Sequence, residues 1–439
     1  MLIEFSVSNF RSICEKQVIS LVPAFKQKEH LENIRHIQKH KILNGTVLYG
    51  ANSSGKSNLL KAIELIDKLL YLSTKMGSTE KLPYEPFLLK EGYASEPTTL
   101  EIIFITNEIR YRYGVSFNST TVLEEWLFRK KVGREVELFN RFEDTIEVSS
   151  GFKGSQKAID TAIEATRENA LFLSFCDMLN VTEAKHIFRW FKRFIYIDGL
   201  NAAKEEFQTI ELLQNEDLQQ KTKAYLNALG LGFEDIIVQR KEFDALELPQ
   251  HIDEKTKQAL MKALNGKAAF QINTVHALYD KDGVRTNKYI HWPMDEHESE
   301  GTKKTFRFSG PVIHTLLNGG LLVVDEIEAK IHPVLTLNII NLFLSEKTNP
   351  LNAQIIFSTH DTNLLSYAHL RRDQINFVEK NTWEATEIYT LSDFRYFNER
   401  LETRADENKE KRYLEGRYGA IPFLSALNHK IGEWYGKTR

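Results

Sequence analysis

The sequence predicts an α/β fold in which a mixed-sheet core carries an antiparallel β subdomain and an inserted, mainly helical arm. Three observations predict it. A short apolar strand, Val47-Leu48-Tyr49, runs into the glycine-containing loop Gly50-Ala51-Asn52-Ser53-Ser54-Gly55-Lys56-Ser57, and helical spacing starts directly after that loop. From about Leu100 to Val148 the apolar residues alternate, as in half-buried strands. Beyond a long charged stretch, buried strands and helices alternate again, ending near Phe357.

Each element has its own justification. Leu2 to Val7 alternates and reads as an opening strand. Leu59, Leu60, Ile63, Ile66, Leu69 and Leu70 form one apolar stripe, which sets a helix beginning near Ser57. Ile102–Ile105, Tyr111–Phe117, Glu124–Phe128 and Glu135–Phe139 read as successive antiparallel strands, with a turn at Asn107. Ala158 to Leu179 is helical in period, and Ile195-Tyr196-Ile197 is a strand. Ala202 to Ala268 is charged, poor in glycine and helical in period. Asp282-Gly283, between Val275–Tyr279 and Lys288–Ile290, predicts a hairpin. A helix near Val312, the strand Leu321–Val324, a helix near Leu335 and the strand Gln354–Phe357 complete the pattern. The expected division is 1–150, 151–295 (the arm, ending in the hairpin), 296–380 and a tail of 381–439.

Bulk properties exclude several classes. The 439 residues are 42% hydrophobic and 11% aromatic, enough for a substantial core. With 57 basic and 60 acidic residues the net charge is -3, so overall charge does not single out nucleic acid. Cys14 and Cys176 form no CxxC pair, which excludes a disulfide framework and a cysteine zinc site. His36 and His40 have metal-binding spacing for a helix, but no third ligand lies nearby. Apolar runs such as Leu321–Val324 fall far short of the roughly 20 residues of a membrane span. The acid in Met1-Leu2-Ile3-Glu4 stands where a signal peptide would be basic. A soluble, cytoplasmic protein without membrane contact is expected.

Four motifs carry chemistry. Gly50, Gly55, Lys56 and Ser57 fill GxxxxGKS/T; such a loop aims backbone N–H groups at a polyanionic phosphate ahead of a helix N-terminus. Lys56 would reach the β- and γ-phosphates of ATP, and Ser57 would ligate Mg²⁺. In Leu321-Leu322-Val323-Val324-Asp325-Glu326 an apolar strand ends in two carboxylates: Asp325 to hold Mg²⁺, Glu326 to take a proton from the attacking water. His360, after Ile355-Ile356-Phe357-Ser358-Thr359, can face the γ-phosphate, because its ring both donates and accepts. Glu298-Ser299-Glu300-Gly301-Thr302 opens a helix and forms a further anion-binding N-terminus.

In this order the motifs resemble the ABC-type ATPases of the SMC, RecF and OLD group, over almost the whole chain. Lys56 and Asp325 lie more than half the chain apart, whereas in ring-forming AAA+ motors the acidic strand follows much sooner and no Ser-x-Gly cap precedes it. Asn9-Phe10-Arg11-Ser12 is similar to that group's opening. Within it, the chain resembles the stand-alone bacterial phage-defence ATPases of the RloA and AbiLi type. That likeness rests on the loop continued through Asn58-Leu59-Leu60, Tyr84-Glu85-Pro86-Phe87-Leu88, Asp325-Glu326-Ile327-Glu328 with His332-Pro333, Phe357-Ser358-Thr359-His360-Asp361, Leu370-Arg371-Arg372-Asp373-Gln374-Ile375 and Tyr418-Gly419-Ala420-Ile421-Pro422.

The resemblance implies nucleotide contacts from Arg11, from the loop residues Gly50, Ala51, Asn52, Ser53, Ser54, Gly55, Lys56, Ser57 and Asn58, and from Ser299 and Gly301 of another copy. It implies a head-to-tail homodimer, or a higher oligomer, hydrolysing ATP with Glu326, His360 and Lys56. The signature here reads Ser-Glu-Gly-Thr, where transporters have Ser-Gly-Gly. The long insertion and opening strand also separate the chain from transporter subunits. After His360 there is no Asp-x-Asp, so the Toprim nuclease of the OLD branch is not expected. The expected function is therefore an ATP-driven sensor or switch that controls a separately encoded toxin or nuclease in anti-phage defence. A RecF-like DNA-repair ATPase, with nucleic acid as partner, is the alternative, and a scaffold that binds ATP with little turnover is a third reading.

Overall fold

The computed structural model describes residues 1–25, 27–198, 203–241, 269–394 and 408–422. The chain divides into two compact units, Met1–Leu200 with Thr315–Ala329 and Thr336–Arg439, and Asn201–His314 with Lys330–Leu335.

The first unit contains two large sheets. One has six strands in the order Phe194–Asp198, Leu321–Asp325, Gln354–Ser358, Gly45–Tyr49, Ile375–Lys380 and Thr386–Thr390. The first five run parallel and the last turns back antiparallel. Strands buried on both faces read as unbroken apolar runs, and Leu321–Asp325, Gln354–Ser358 and Gly45–Tyr49 are buried at every residue. The strand that precedes His360 lies between the loop strand and the acidic strand. The tips of all three therefore point the same way.

The other sheet is antiparallel and seven-stranded, in the order Thr145–Val148, Val136–Phe142, Val122–Lys130, Ile109–Phe117, Thr98–Thr106, Leu2–Ser8 and Gln17–Ser20. The expected alternating strands are all present, and Asn107 and Glu108 take left-handed φ values of 48° and 62° at the expected turn. Helix Lys56–Leu72 buries Leu59, Leu60, Ile63, Ile66, Leu69 and Leu70, the stripe read in the sequence.

Helices Gln156–Ala165, Phe172–Met178 and Thr182–Phe191 fall within the stretch assigned to the arm, yet they pack into the core of the first unit. Trp190 stacks on Phe104 of the antiparallel sheet at 3.9 Å. Fully buried Glu125 holds this layer through its carboxylate, which accepts N–H bonds from Phe172 (2.6 Å) and Leu173 (3.0 Å) and the Tyr113 hydroxyl (3.0 Å). Helical periodicity reveals an apolar face but not the sheet that will cover it, so the sequence alone groups these helices with the arm.

The second unit holds helices Ala203–Gln214, Gln219–Ala228 and most of Glu300–Asn318, with a three-stranded sheet of Asp235–Lys241, Ala269–Tyr279 and Arg285–Pro293. The Asp282-Gly283 hairpin is present. Asp235–Lys241 is a strand inside the stretch read as helical, because its pairing with Ala269–Tyr279 overrides local propensity. The rest of that charged stretch, 242–268, lies outside the described residues, as do 395–407 and 423–439 of the tail. Pro311 sits inside its helix, where it has no N–H for the Arg307 carbonyl. The Thr209 hydroxyl meets that carbonyl at 3.2 Å and accepts Gly310 N–H at 2.9 Å.

His36 and His40 do not share a helix. They lie in the hairpin Ile34–Ile37 and His40–Leu43, and no cluster of metal-ligating side chains occurs among the described residues. No helix among them is long and apolar enough to cross a membrane.

The resemblance motifs outside the loop and the two strand tips are structural ties. Fully buried Arg371 pairs with Asp373 at 2.8 Å, and Gln374 Nε2 donates to the Gly45 carbonyl at 2.7 Å, which anchors the start of the loop strand. Asn9 Oδ1 accepts Phe87 N–H at 2.9 Å, locking the opening segment to Tyr84–Leu88. Tyr418 stacks on Phe377 (5.4 Å), and Ala420 N–H donates to Glu379 (2.9 Å).

Candidate nucleotide-binding site

The loop Gly50–Ser57 joins a buried strand to a helix and is held by close backbone approaches. A Cβ on Gly50 would lie 2.3 Å from the Val378 carbonyl, so only glycine fits there. Ser53 and Gly55 take φ values of 64° and 107°, which curl successive N–H groups inward as an anion nest. Lys56 is buried, and its ammonium donates to the Gly50 and Ala51 carbonyls at 2.9 and 3.0 Å. The loop is also braced from behind. Asn58 Nδ2 donates to Ser12 Oγ (2.7 Å), Ser12 Oγ meets Thr386 Oγ1 (2.7 Å), and Thr386 Oγ1 donates to the Ser54 carbonyl (2.9 Å).

Beside the loop lies the acidic strand tip. Asp325 is buried, and its Oδ1 accepts the Ser358 hydroxyl at 2.5 Å. The same oxygen of Ser358 accepts Glu326 N–H at 2.8 Å. Glu326 has a left-handed φ of 52°, a strained value for a residue with a side chain, so the chain turns sharply just after Asp325. The backbone N–H of His360 donates to Glu328 Oε1 at 2.6 Å.

Electrostatics tie these pieces together. Burial pushes the Lys56 ammonium below its ordinary value, while the Asp325, Glu326 and Glu328 carboxylates oppose that shift. Burial and then the Lys56 charge lower His360, again opposed by Glu328, Glu326 and Asp325. Lys56, Asp325, Glu326 and His360, spread across the sequence, thus share one electrostatic neighbourhood.

A family model described as "AAA domain, putative AbiEii toxin, Type IV TA system" matches residues 46–366. The chain belongs to this AAA-domain family. The AAA domain begins in the loop strand and closes just beyond His360, so the loop, the acidic strand tip and the histidine all lie inside the matched span. No curated protein matches the chain.

Two features of the AAA domain's loop are compatible with a phosphate ligand. Gly50 packs directly against the Val378 carbonyl and the Ser54 side chain, and the buried Ser54 hydroxyl lacks a hydrogen-bond partner among the described residues. Ser57, half-buried in the first helical turn, and buried Asp325 carry oxygens of the kind that could hold a divalent cation, with further ligands from water and phosphate. Asn52 and Ser53 are exposed at the loop's crest.

Arg11 pairs with Glu85 at 2.9 Å, and the loop contact from this segment comes from its neighbour Ser12. Ser299 and Gly301 belong to the second unit of the AAA-domain chain. Exposed Ser299 caps the helix Glu300–Asn318, its Oγ accepting Thr302 N–H at 3.1 Å. A Cβ on Gly301 would lie 3.1 Å from the Lys330 carbonyl.

Sequence reasoning missed Ser358, Glu328, Thr386 and Tyr196. Ser358 and Glu328 stand inside motifs already singled out, and the cue was a small hydroxyl at a strand end and a second acid past the turn. Thr386 gave no local cue, because it reaches the loop from another strand. The Tyr196 hydroxyl is buried without a partner among the described residues, and burial, then the charge of Asp325, push it above its ordinary range.

Proposed function

We propose that the chain is an ABC-type ATPase whose nucleotide site is completed by a second copy, and that the resulting dimer is a switch for a separately encoded toxin or nuclease. The observation that carries the catalytic part is the shared neighbourhood of Lys56, Asp325, Glu326 and His360 at three adjacent strand tips. Lys56 leaves the loop carbonyls to take the β- and γ-phosphates of ATP. Ser57 and Asp325 hold Mg²⁺, which supplies charge neutralisation on the phosphates. Glu326 accepts the proton of the attacking water, and His360 orients that water against the γ-phosphate. Ser299 and Gly301 of the partner copy present a helix N-terminus to the same phosphate.

Two considerations support control of an effector over a self-contained activity. The chain's likeness is to phage-defence ATPases, and the matched family's own description speaks of a toxin and a toxin–antitoxin system. The test is co-purification with the product of a neighbouring gene, from wild type and from Lys56→Ala. The complex is expected with wild type and is expected to be lost or altered in the variant. If the protein purifies alone in both cases and instead binds DNA in a salt-sensitive, ATP-dependent way, the switch reading is wrong and the DNA-clamp reading takes its place.

A further inference from the structure

Four hydrogen bonds close the gap between the acidic strand tip and the segment that carries His360. Ser358 Oγ donates to Asp325 Oδ1 (2.5 Å), Glu326 N–H to Ser358 Oγ (2.8 Å), Ile327 N–H to the Ser358 carbonyl (3.2 Å), and His360 N–H to Glu328 Oε1 (2.6 Å). The first three converge on Ser358 and fix the two carboxylates. Of the four, the last alone reaches His360. It is short and charge-assisted, the stronger kind of N–H bond. The His360 ring is only partly covered and opens to solvent on one side, and no hydrogen bond holds it among the described residues. Flanking anchors act on its neighbours, with Thr359 N–H donating to the Leu48 carbonyl (3.2 Å) and the Tyr49 hydroxyl to the Asp361 carbonyl (3.0 Å).

Glu328 is oddly placed for a solvated glutamate. Its Oε2 is buried with no hydrogen-bond partner among the described residues, so part of its hydration has been given up. The left-handed turn at Glu326 is what brings a residue three positions past Asp325 back onto the neighbouring strand end. Its charge also acts on both Lys56 and His360.

We propose that Glu328 is the positioning residue for His360. Its carboxylate fixes the His360 backbone and thereby the place of the imidazole relative to the γ-phosphate and the attacking water. Glu328 itself touches neither nucleotide nor water, which distinguishes it from Glu326. The inference rests on the role given to His360 above.

The experiment is steady-state ATP hydrolysis by the full chain carrying Glu328→Ala, Glu328→Gln, His360→Ala, or Glu328→Ala with His360→Ala. Glu328→Ala is expected to lower kcat about tenfold, the effect of losing one charge-assisted hydrogen bond, with KM for ATP little changed. Glu328→Gln keeps an oxygen for the His360 N–H and is expected to recover most of that loss. The double variant is expected to be no slower than His360→Ala, because both changes disable the same element. Additive losses, a Gln variant as slow as the Ala variant, or a rise in KM at unchanged kcat would each overturn the positioning role. If His360→Ala is slow while Glu328→Ala runs at the wild-type rate, only the present inference fails. Wild-type turnover by His360→Ala would remove the role of His360 itself, and this inference with it.

Discussion

Gly55 and Thr386 meet so closely that a Cβ on Gly55 would lie 2.0 Å from the Thr386 hydroxyl. The nucleotide-binding loop therefore depends on a strand that follows it by most of the chain. Gly55→Ala is expected to abolish binding of a fluorescent ATP analogue. Adding Thr386→Ala relieves the closest contacts but leaves Ser12 Oγ at 2.9 Å and the cost of a left-handed φ of 107°, about 1–2 kcal/mol for a residue with a side chain. Only partial recovery is expected, and full recovery in the double variant would show that the Thr386 contact alone demands glycine.

Ser358 serves both carboxylates with one hydroxyl. Ser358→Ala leaves Asp325 without its donor and the Glu326 N–H without its acceptor. A bond to a charged group contributes about 1.5–3 kcal/mol, so kcat is expected to fall roughly ten- to a hundredfold while nucleotide KM holds. A change in KM alone would mean that the hydroxyl serves binding and not the reacting carboxylates.

The pH profile tests His360. Burial and the Lys56 charge hold its imidazole below the ordinary 6.5, so the ring is neutral at pH 7 in the free protein. Since kcat/KM reports free-enzyme groups, its acid limb is expected below pH 6.5 and is expected to vanish in His360→Ala. An acid limb above that value, or one that survives the substitution, would assign the titration to another group.

Glu125 tests the buried layer beneath the antiparallel sheet. Glu125→Ala strands the Phe172 and Leu173 N–H groups and the Tyr113 hydroxyl, and about 3 kcal/mol or more of stability should be lost in urea unfolding. Burial, opposed by Arg141, raises the carboxyl pKa in the folded state. Its contribution is thus fully present below the unfolded-state pKa and is lost as pH rises through the folded one. Glu125→Gln should remove that slope, and an unchanged slope would place the titration elsewhere.

Much of the candidate site is legible in the sequence because its groups sit in short local motifs. Gly50 to Ser57, Asp325 with Glu326, and His360 each follow a buried strand, and an unbroken apolar run that ends in polar residues marks such a tip. The helices at 156–191 were less legible, since their apolar faces do not name the sheet that covers them. Asp235–Lys241 was read as helical because its partner strand lies beyond a long intervening segment. The Arg11 guanidinium pairs with Glu85, a neighbour that no local motif announces.

The sequence by itself determined that there is a phosphate loop, an acidic strand tip and a histidine, because each depends on residues within a few positions of one another. Only the tertiary structure decided what holds them. Ser358 between Asp325 and Glu326, and Glu328 on the His360 backbone, join the ends of two neighbouring strands, while Thr386 behind Gly55 reaches the loop from two strands away in the same sheet. Hydrogen bonding acts over about 3 Å in space, and sequence separation carries no record of such neighbours until the sheet order is known.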